Sequence, residues 1–153
     1  MNKLARLLAT FGGCGYMPKA PGTAGSLCAI LAAMSLARVD GFEPWHLWVL
    51  AAALTPAAIW SAGRVAVLEG RADPQIVVID EVLGQWITLA AAPHLSWPWA
   101  LAAFALFRCF DCVKPWPLRR LEALPGGAGI VTDDLAAGFY GWVVLAGVGW
   151  FNR

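Results

Sequence analysis

Gly126-Gly127-Ala128-Gly129-Ile130-Val131-Thr132-Asp133-Asp134-Leu135-Ala136-Ala137-Gly138 joins a glycine-rich segment to two adjacent carboxylates, and an apolar run continues from there to Phe151. The order predicts a glycine turn, with Thr132 or Asp133 as helix N-cap and Asp134 in the first helical turn. Adjacent carboxylates repel each other unless a proton or a cation relieves them. At the edge of an apolar layer a hard divalent ion such as Mg²⁺ is the natural partner, because it prefers oxygen ligands. The plainer reading is a capped helix start with solvated acids, and the rest of the chain decides between the two.

The 153 residues are 59% hydrophobic and only 14% charged, well below the roughly 25% charge of a soluble domain. Nine tryptophans and ten prolines stand among alanine- and leucine-rich runs, a pattern that suits membrane helices with interfacial anchors better than a water-soluble core. A compact soluble helical protein is the competing reading. The length allows one domain, taken as residues 1–153. A net charge of +1 without a basic run argues against nucleic acid as partner. Met1 to Thr10 is too short and too polar for a secretory signal.

Five apolar runs are expected to cross a bilayer: 27–39, 45–62, 82–92, 99–107 and 135–151. Several are shorter than the roughly 20 residues of a full span, so the helices either extend into their polar flanks or lie shallow. Asn2 to Phe11 reads as a short amphipathic helix. Five crossings put Lys3, Arg6, Lys19, Arg64, Arg71, Arg108, Lys114, Arg119 and Arg120 on one side, against Arg38 and Arg153 on the other. The positive-inside rule makes the basic side cytoplasmic. The fold expected is all-α, a compact multi-helix membrane bundle of about five apolar helices with its active site at the cytoplasmic face.

That orientation gathers the chemistry at one rim. The Lys19–Ser26 loop, Asp80-Glu81, Arg108 to Lys114 and Asp133-Asp134 all fall there, while His46 and His94 fall opposite. Arg108, Asp111 and Lys114 are spaced i, i+3, i+6 and share a helix face, which Pro115 ends. Asp80, Gly84 and Thr88 form a stripe in which Gly84 permits close approach of a neighbouring helix. The loop Gly12 to Ser26, dense in glycine and proline and running into an apolar stretch, can form a phosphate cradle at a helix start with the Thr23 and Ser26 hydroxyls and the Lys19 ammonium. Five carboxylates (Asp80, Glu81, Asp111, Asp133, Asp134) thus meet cations from Lys19, Arg108 and Lys114. Ionisable groups at membrane depth are costly and mark function.

Acids able to hold Mg²⁺ beside cations able to hold anions point to a phosphate ester. A metal would polarise the phosphoryl oxygen and acidify an attacking water, while Arg108 clamps the phosphate and Lys114 offsets developing charge. Other phosphatase chemistries lack their residues. No arginine follows Cys109 or Cys112 at the offset of a cysteine-phosphatase loop, and no Asp-x-Asp-x-Thr nucleophile segment occurs. A histidine nucleophile would have to come from the wrong side. Cys109 and Cys112 have CxxC spacing, but without a second pair a zinc or redox centre is not expected.

Four blocks are quoted together for what they resemble: Gly15-Tyr16-Met17-Pro18-Lys19-Ala20-Pro21-Gly22-Thr23-Ala24-Gly25-Ser26, Asp80-Glu81-Val82-Leu83-Gly84, Phe107-Arg108-Cys109-Phe110-Asp111-Cys112-Val113-Lys114-Pro115-Trp116-Pro117, and Gly126 to Gly138. In this order they resemble the phosphatidylglycerophosphatase A family across most of the chain. The resemblance implies a Mg²⁺-dependent lipid phosphatase of the bacterial inner membrane. Such an enzyme hydrolyses phosphatidylglycerol phosphate to phosphatidylglycerol and inorganic phosphate in phospholipid biosynthesis. It implies Asp80, Glu81, Asp111, Asp133 and Asp134 as catalytic and metal-binding acids, and Lys19, Thr23, Ser26, Arg108 and Lys114 as phosphate binders. Either one acid acts as general base on water or one attacks phosphorus; the water route is the one expected.

Two other classes compete. A divalent-cation transporter would use the same acids but wants them near mid-depth, and gives no reason for Arg108, Lys114 and the glycine loop. A scaffold protein predicts that Asp134→Asn leaves function intact. Oligomeric state is not legible.

Overall fold

The computed structural model describes residues 1–151 and is all-helical, with seven α-helices and no strand among the described residues. Arg153, one of the two cations assigned to the far side, lies outside the described residues. Helix α1 (Asn2–Ala9) is the amphipathic one, burying Ala5 and Ala9 while Arg6 pairs with Glu69 at 2.8 Å. A 3-10 turn (Cys14–Tyr16) leads to α2 (Pro21–Leu36), followed by α3 (His46–Glu69), α4 (Ile79–Leu89), α5 (Trp97–Val113), the short α6 (Leu118–Leu121) and α7 (Gly127–Phe151).

The five apolar runs lie on α2, α3, α4, α5 and α7, but residues 37–39, 45 and 90–92 fall outside the helix ends, while each helix extends into a polar flank. Three local expectations are corrected. The glycine turn is confined to Gly126 (φ 64°): α7 begins at Gly127, so Thr132 and Asp133 are interior residues and no N-cap. Thr132 instead donates its hydroxyl back to the Ala128 carbonyl at 2.7 Å. Most of the Lys19–Ser26 loop is helix, because Pro21 supplies a preset φ at the first position of α2. The run expected to end at residue 62 stays helical through Glu69 and turns only at Gly70, whose φ of 64° suits glycine.

Helix α4 is the central element. Ten of its eleven residues are buried, and it packs against α2, α3, α5 and α7. Its contact with α7 is backbone to backbone. A Cβ on Gly84 would stand 2.6 Å from the Asp134 carbonyl oxygen, and one on Gly141 would stand 2.7 Å from the Thr88 hydroxyl. The stripe Asp80-Gly84-Thr88 therefore faces a close neighbour, as its spacing predicts.

Two helices, α3 at 24 residues and α7 at 25, are long and apolar enough to cross a membrane, at about 36 Å each against a hydrocarbon core of about 30 Å. α2 with 16 residues, α5 with 17 and α4 with 11 are shorter than a full perpendicular span. Leu31, Val49, Val67, Leu101, Val143 and Val148 all point outward from α2, α3, α5 and α7. Such an apolar exterior is costly in water and suits contact with lipid.

Candidate active site

Successive long helices alternate in direction, so one end of the bundle collects the start of α2, the end of α3, the start of α4, the end of α5 and the start of α7. There they enclose a cavity of about 720 Å³. Asp80, Glu81, Arg108, Asp111, Lys114, Asp133 and Asp134 all line it. Both histidines lie away from it: His46 Nδ1 sits against the Glu43 backbone and His94 against Trp99.

The acids divide into two groups. Asp80, Glu81 and Asp134 offer oxygens that all lie within 4.8 Å of one another. Asp80 and Asp134 are only 7% and 5% exposed. Asp80 Oδ1 and Glu81 Oε2 are buried with no hydrogen-bond donor, a costly arrangement for an acceptor unless something else satisfies it. Burial, then the charges of Glu81 and Asp134, push the Asp80 carboxyl well above the usual carboxylate range. A hard cation relieves this repulsion and uses the orphaned oxygens. The residues present therefore fit a divalent ion.

Asp111 and Asp133 are instead paired to cations. Arg108 reaches Asp111 at 2.7 Å, one turn along α5. Lys114, in the left-handed conformation (φ 45°) at the end of α5, sets its Nζ 2.6 Å from Asp133 Oδ2 and 3.5 Å from Glu122. Burial works against the Lys114 ammonium, but its bond to Asp133 outweighs it and holds the pKa above the usual lysine range. The cavity thus presents an acid triad facing two oriented cations.

Gly22 makes the triad possible. A Cβ there would collide with Glu81 Oε1 and stand 3.4 Å from an Arg108 guanidinium nitrogen. The three side chains expected to form the phosphate cradle stand apart from the cavity. Lys19 is exposed, and neither it, Thr23 nor Ser26 lines the cavity. The Ser26 hydroxyl is buried and donates to the Gly22 carbonyl at 3.1 Å. Cys109 and Cys112 are free and exposed.

Sequence reasoning did not single out Asp73 or Glu122, which also line the cavity. Both belong to connections whose path over the rim no local pattern encodes. Gln85, fully buried with both amide atoms unpartnered, was legible: it stands one turn after Glu81 on the same helix face.

An acid triad beside two oriented cations has the donor set to hold a metal ion and an anion together, in a helical bundle with two helices long and apolar enough to cross a membrane. The chain belongs to the phosphatidylglycerophosphatase A family, whose model matches residues 7–149, and it is a phosphatase. It is 39% identical over 153 residues to phosphatidylglycerophosphatase A of Escherichia coli K12, covering 99% of this chain and 84% of that one. The same-named protein of Haemophilus influenzae is 39% identical over 140 residues, 91% of this chain and 85% of the relative. A Bacteroides thetaiotaomicron protein with the provisional name phosphatidylinositol-3-phosphatase is 41% identical over 148 residues, 94% of this chain and 92% of the relative. No solved structure matches the chain.

Proposed function

We propose that this phosphatase hydrolyses phosphatidylglycerol phosphate to phosphatidylglycerol and inorganic phosphate, at the cytoplasmic face of a bacterial inner membrane and with Mg²⁺ as cofactor. The observation that carries the reading is the triad Asp80, Glu81 and Asp134, whose oxygens converge beside Arg108 and Lys114 with Asp80 Oδ1 and Glu81 Oε2 buried and without donors. α3 and α7 support the membrane location, and the excess of Lys and Arg on the site's side supports its orientation.

Asp80, Glu81 and Asp134 hold the metal, which when bound supplies Lewis-acid polarisation of the phosphoryl group and acidification of water. Asp111 holds Arg108 in place by its ion pair, and the guanidinium fork binds phosphate oxygens. Asp133 fixes the Lys114 ammonium, which offsets charge developing on the phosphate. A carboxylate of the site takes a proton from water as the water oxygen bonds to phosphorus and the phosphorus–oxygen bond to the glycerol breaks, and that proton passes to the departing glycerol oxygen. Asp111 and Asp133 thus act as positioning residues, a different division of labour from five equivalent metal ligands.

The test is phosphate release from phosphatidylglycerol phosphate in detergent, with Mg²⁺ and then with excess EDTA. Phosphatidylinositol 3-phosphate is run alongside because of the name of the Bacteroides relative. Release that needs Mg²⁺ and is faster on the glycerol lipid supports the reading. Preference for the inositol lipid reassigns the substrate, and release unaffected by EDTA removes the metal. A phosphorylated protein trapped on rapid quench replaces water by a carboxylate nucleophile.

A further inference from the structure

Beside the cavity lies a second, shallow groove formed by the segment between α5 and α7, from Val113 to Arg120, and it shares Lys114 with the cavity. Leu118 anchors this segment, being 1% exposed and packed with Phe107 and Ala137. Tyr140 of α7 donates its hydroxyl to the Trp116 carbonyl at 3.3 Å. On this fixed base Trp116 is 75% exposed, and Arg119 and Arg120 are also exposed. The Arg120 guanidinium lies 5.7 Å from the centre of the Trp116 ring. Neither arginine makes an ion pair among the described residues, unlike Arg108 and Lys114.

The depth of the segment follows from α7. Tyr140 is six residues beyond Asp134, about 9 Å further along the axis at 1.5 Å per residue. With Leu118 packed on Phe107 and Ala137 and the Tyr140 hydroxyl on the Trp116 carbonyl, the segment lies against α7 beside the residues that follow Asp134, on the flank of the bundle that a bilayer lipid can approach. An exposed indole beside unpaired arginines is the side-chain chemistry of the headgroup layer, where the ring sits among carbonyls and the guanidinium groups meet phosphates.

We infer that Trp116, Arg119 and Arg120 form a docking surface for the phosphate groups of anionic membrane phospholipids, set beside the cavity mouth at Lys114. The inference rests on the membrane location given under the proposed function but not on the identity of the substrate. The surface holds anionic lipid next to the cavity, and the substrate, itself an anionic lipid, is concentrated where its terminal phosphate can enter.

The test uses the full-length protein in dodecyl maltoside, titrated with phosphatidylglycerol or phosphatidylcholine and read by native mass spectrometry. The wild type retains phosphatidylglycerol in preference to phosphatidylcholine. The Arg119→Gln/Arg120→Gln double variant loses that preference by about twenty-fivefold, since each cation near an anionic surface contributes about fivefold, and Arg119→Lys/Arg120→Lys keeps most of it. Equal retention of the two lipids by the wild type, or an unchanged preference in the glutamine variant, overturns the docking surface. Failure of the wild type to hydrolyse phosphatidylglycerol phosphate overturns the proposed substrate instead, and leaves the binding measurement readable.

Discussion

Gly84 and Gly138 bring α4 and α7 into backbone contact: a Cβ on Gly138 would stand 2.5 Å from the Gly84 carbonyl oxygen and 2.8 Å from its α-carbon. Thr88 seals the crossing with a hydroxyl 3.0 Å from both the Gly84 and Gly138 carbonyls. Asp80 precedes Gly84 by one helical turn, and Asp134 precedes Gly138 by one turn. The glycine contact therefore sets the distance between the two halves of the acid triad. Gly138→Ala is expected to cost about 1–3 kcal/mol by overpacking and to reduce Mg²⁺-dependent activity by more than the loss of folded protein explains. Thermal unfolding in detergent and activity per folded molecule check it; activity that falls only in step with folded protein refutes the spacing role.

The triad makes a second prediction. Divalent binding to the folded state raises stability by mass action, by about 2.7 kcal/mol at one hundred times the dissociation constant. Saturating Mg²⁺ should raise Tm of the wild type by several degrees and leave Asp134→Asn unmoved. Activity of the variant should fall by at least about a hundredfold, in the range of lost electrostatic stabilisation at an active centre. A Mg²⁺ shift that persists in Asp134→Asn places the ion elsewhere.

The acids were legible from the sequence because they stand at the ends of apolar runs, where uncompensated charge is costly. Sorting them was legible only in part. Asp111 stands one turn after Arg108 on the same helix face, but Asp133 looks no different in sequence from Asp134, and only the packing of α5 on α7 pairs Lys114 with Asp133. The start of α7 was misread because Gly126, Gly127 and Gly129 signal a turn locally. Packing overrides that signal: a Cβ on Gly127 would overlap the Ile59 carbonyl of α3, and one on Gly129 the Leu124 carbonyl. Gly127 and Gly129 serve close approach between backbones while Gly126, at φ 64° in open space, does turn, and sequence alone does not separate the two uses.

Gly22 tests the same principle with a smaller stability cost. The group a new methyl meets is Glu81 Oε1, the end of a flexible side chain, so the fold can yield while the ligand oxygen moves. Gly22→Ala should keep Tm within a few degrees, raise the Mg²⁺ concentration for half-maximal activity several-fold, and lower kcat. A variant with wild-type Mg²⁺ dependence would show that Glu81 does not need its present position.

Lys114 and Asp133 allow structural and catalytic roles to be separated by a double-mutant cycle. Their ion pair is 2.6 Å long, with Asp133 buried and Lys114 partly so. Lys114→Met strands a buried carboxylate and should destabilise by about 1–3 kcal/mol, the cost of an unsatisfied buried group. Asp133→Asn removes the stranded charge, so the double variant should recover part of that loss, because residues in direct contact are not additive. Activity should not recover with it, since the ammonium that faces the phosphate is still missing. Denaturant or thermal unfolding gives the stability arm and phosphate release the other. Recovery of activity together with stability would make Lys114 a structural partner of Asp133 and leave phosphate binding to Arg108.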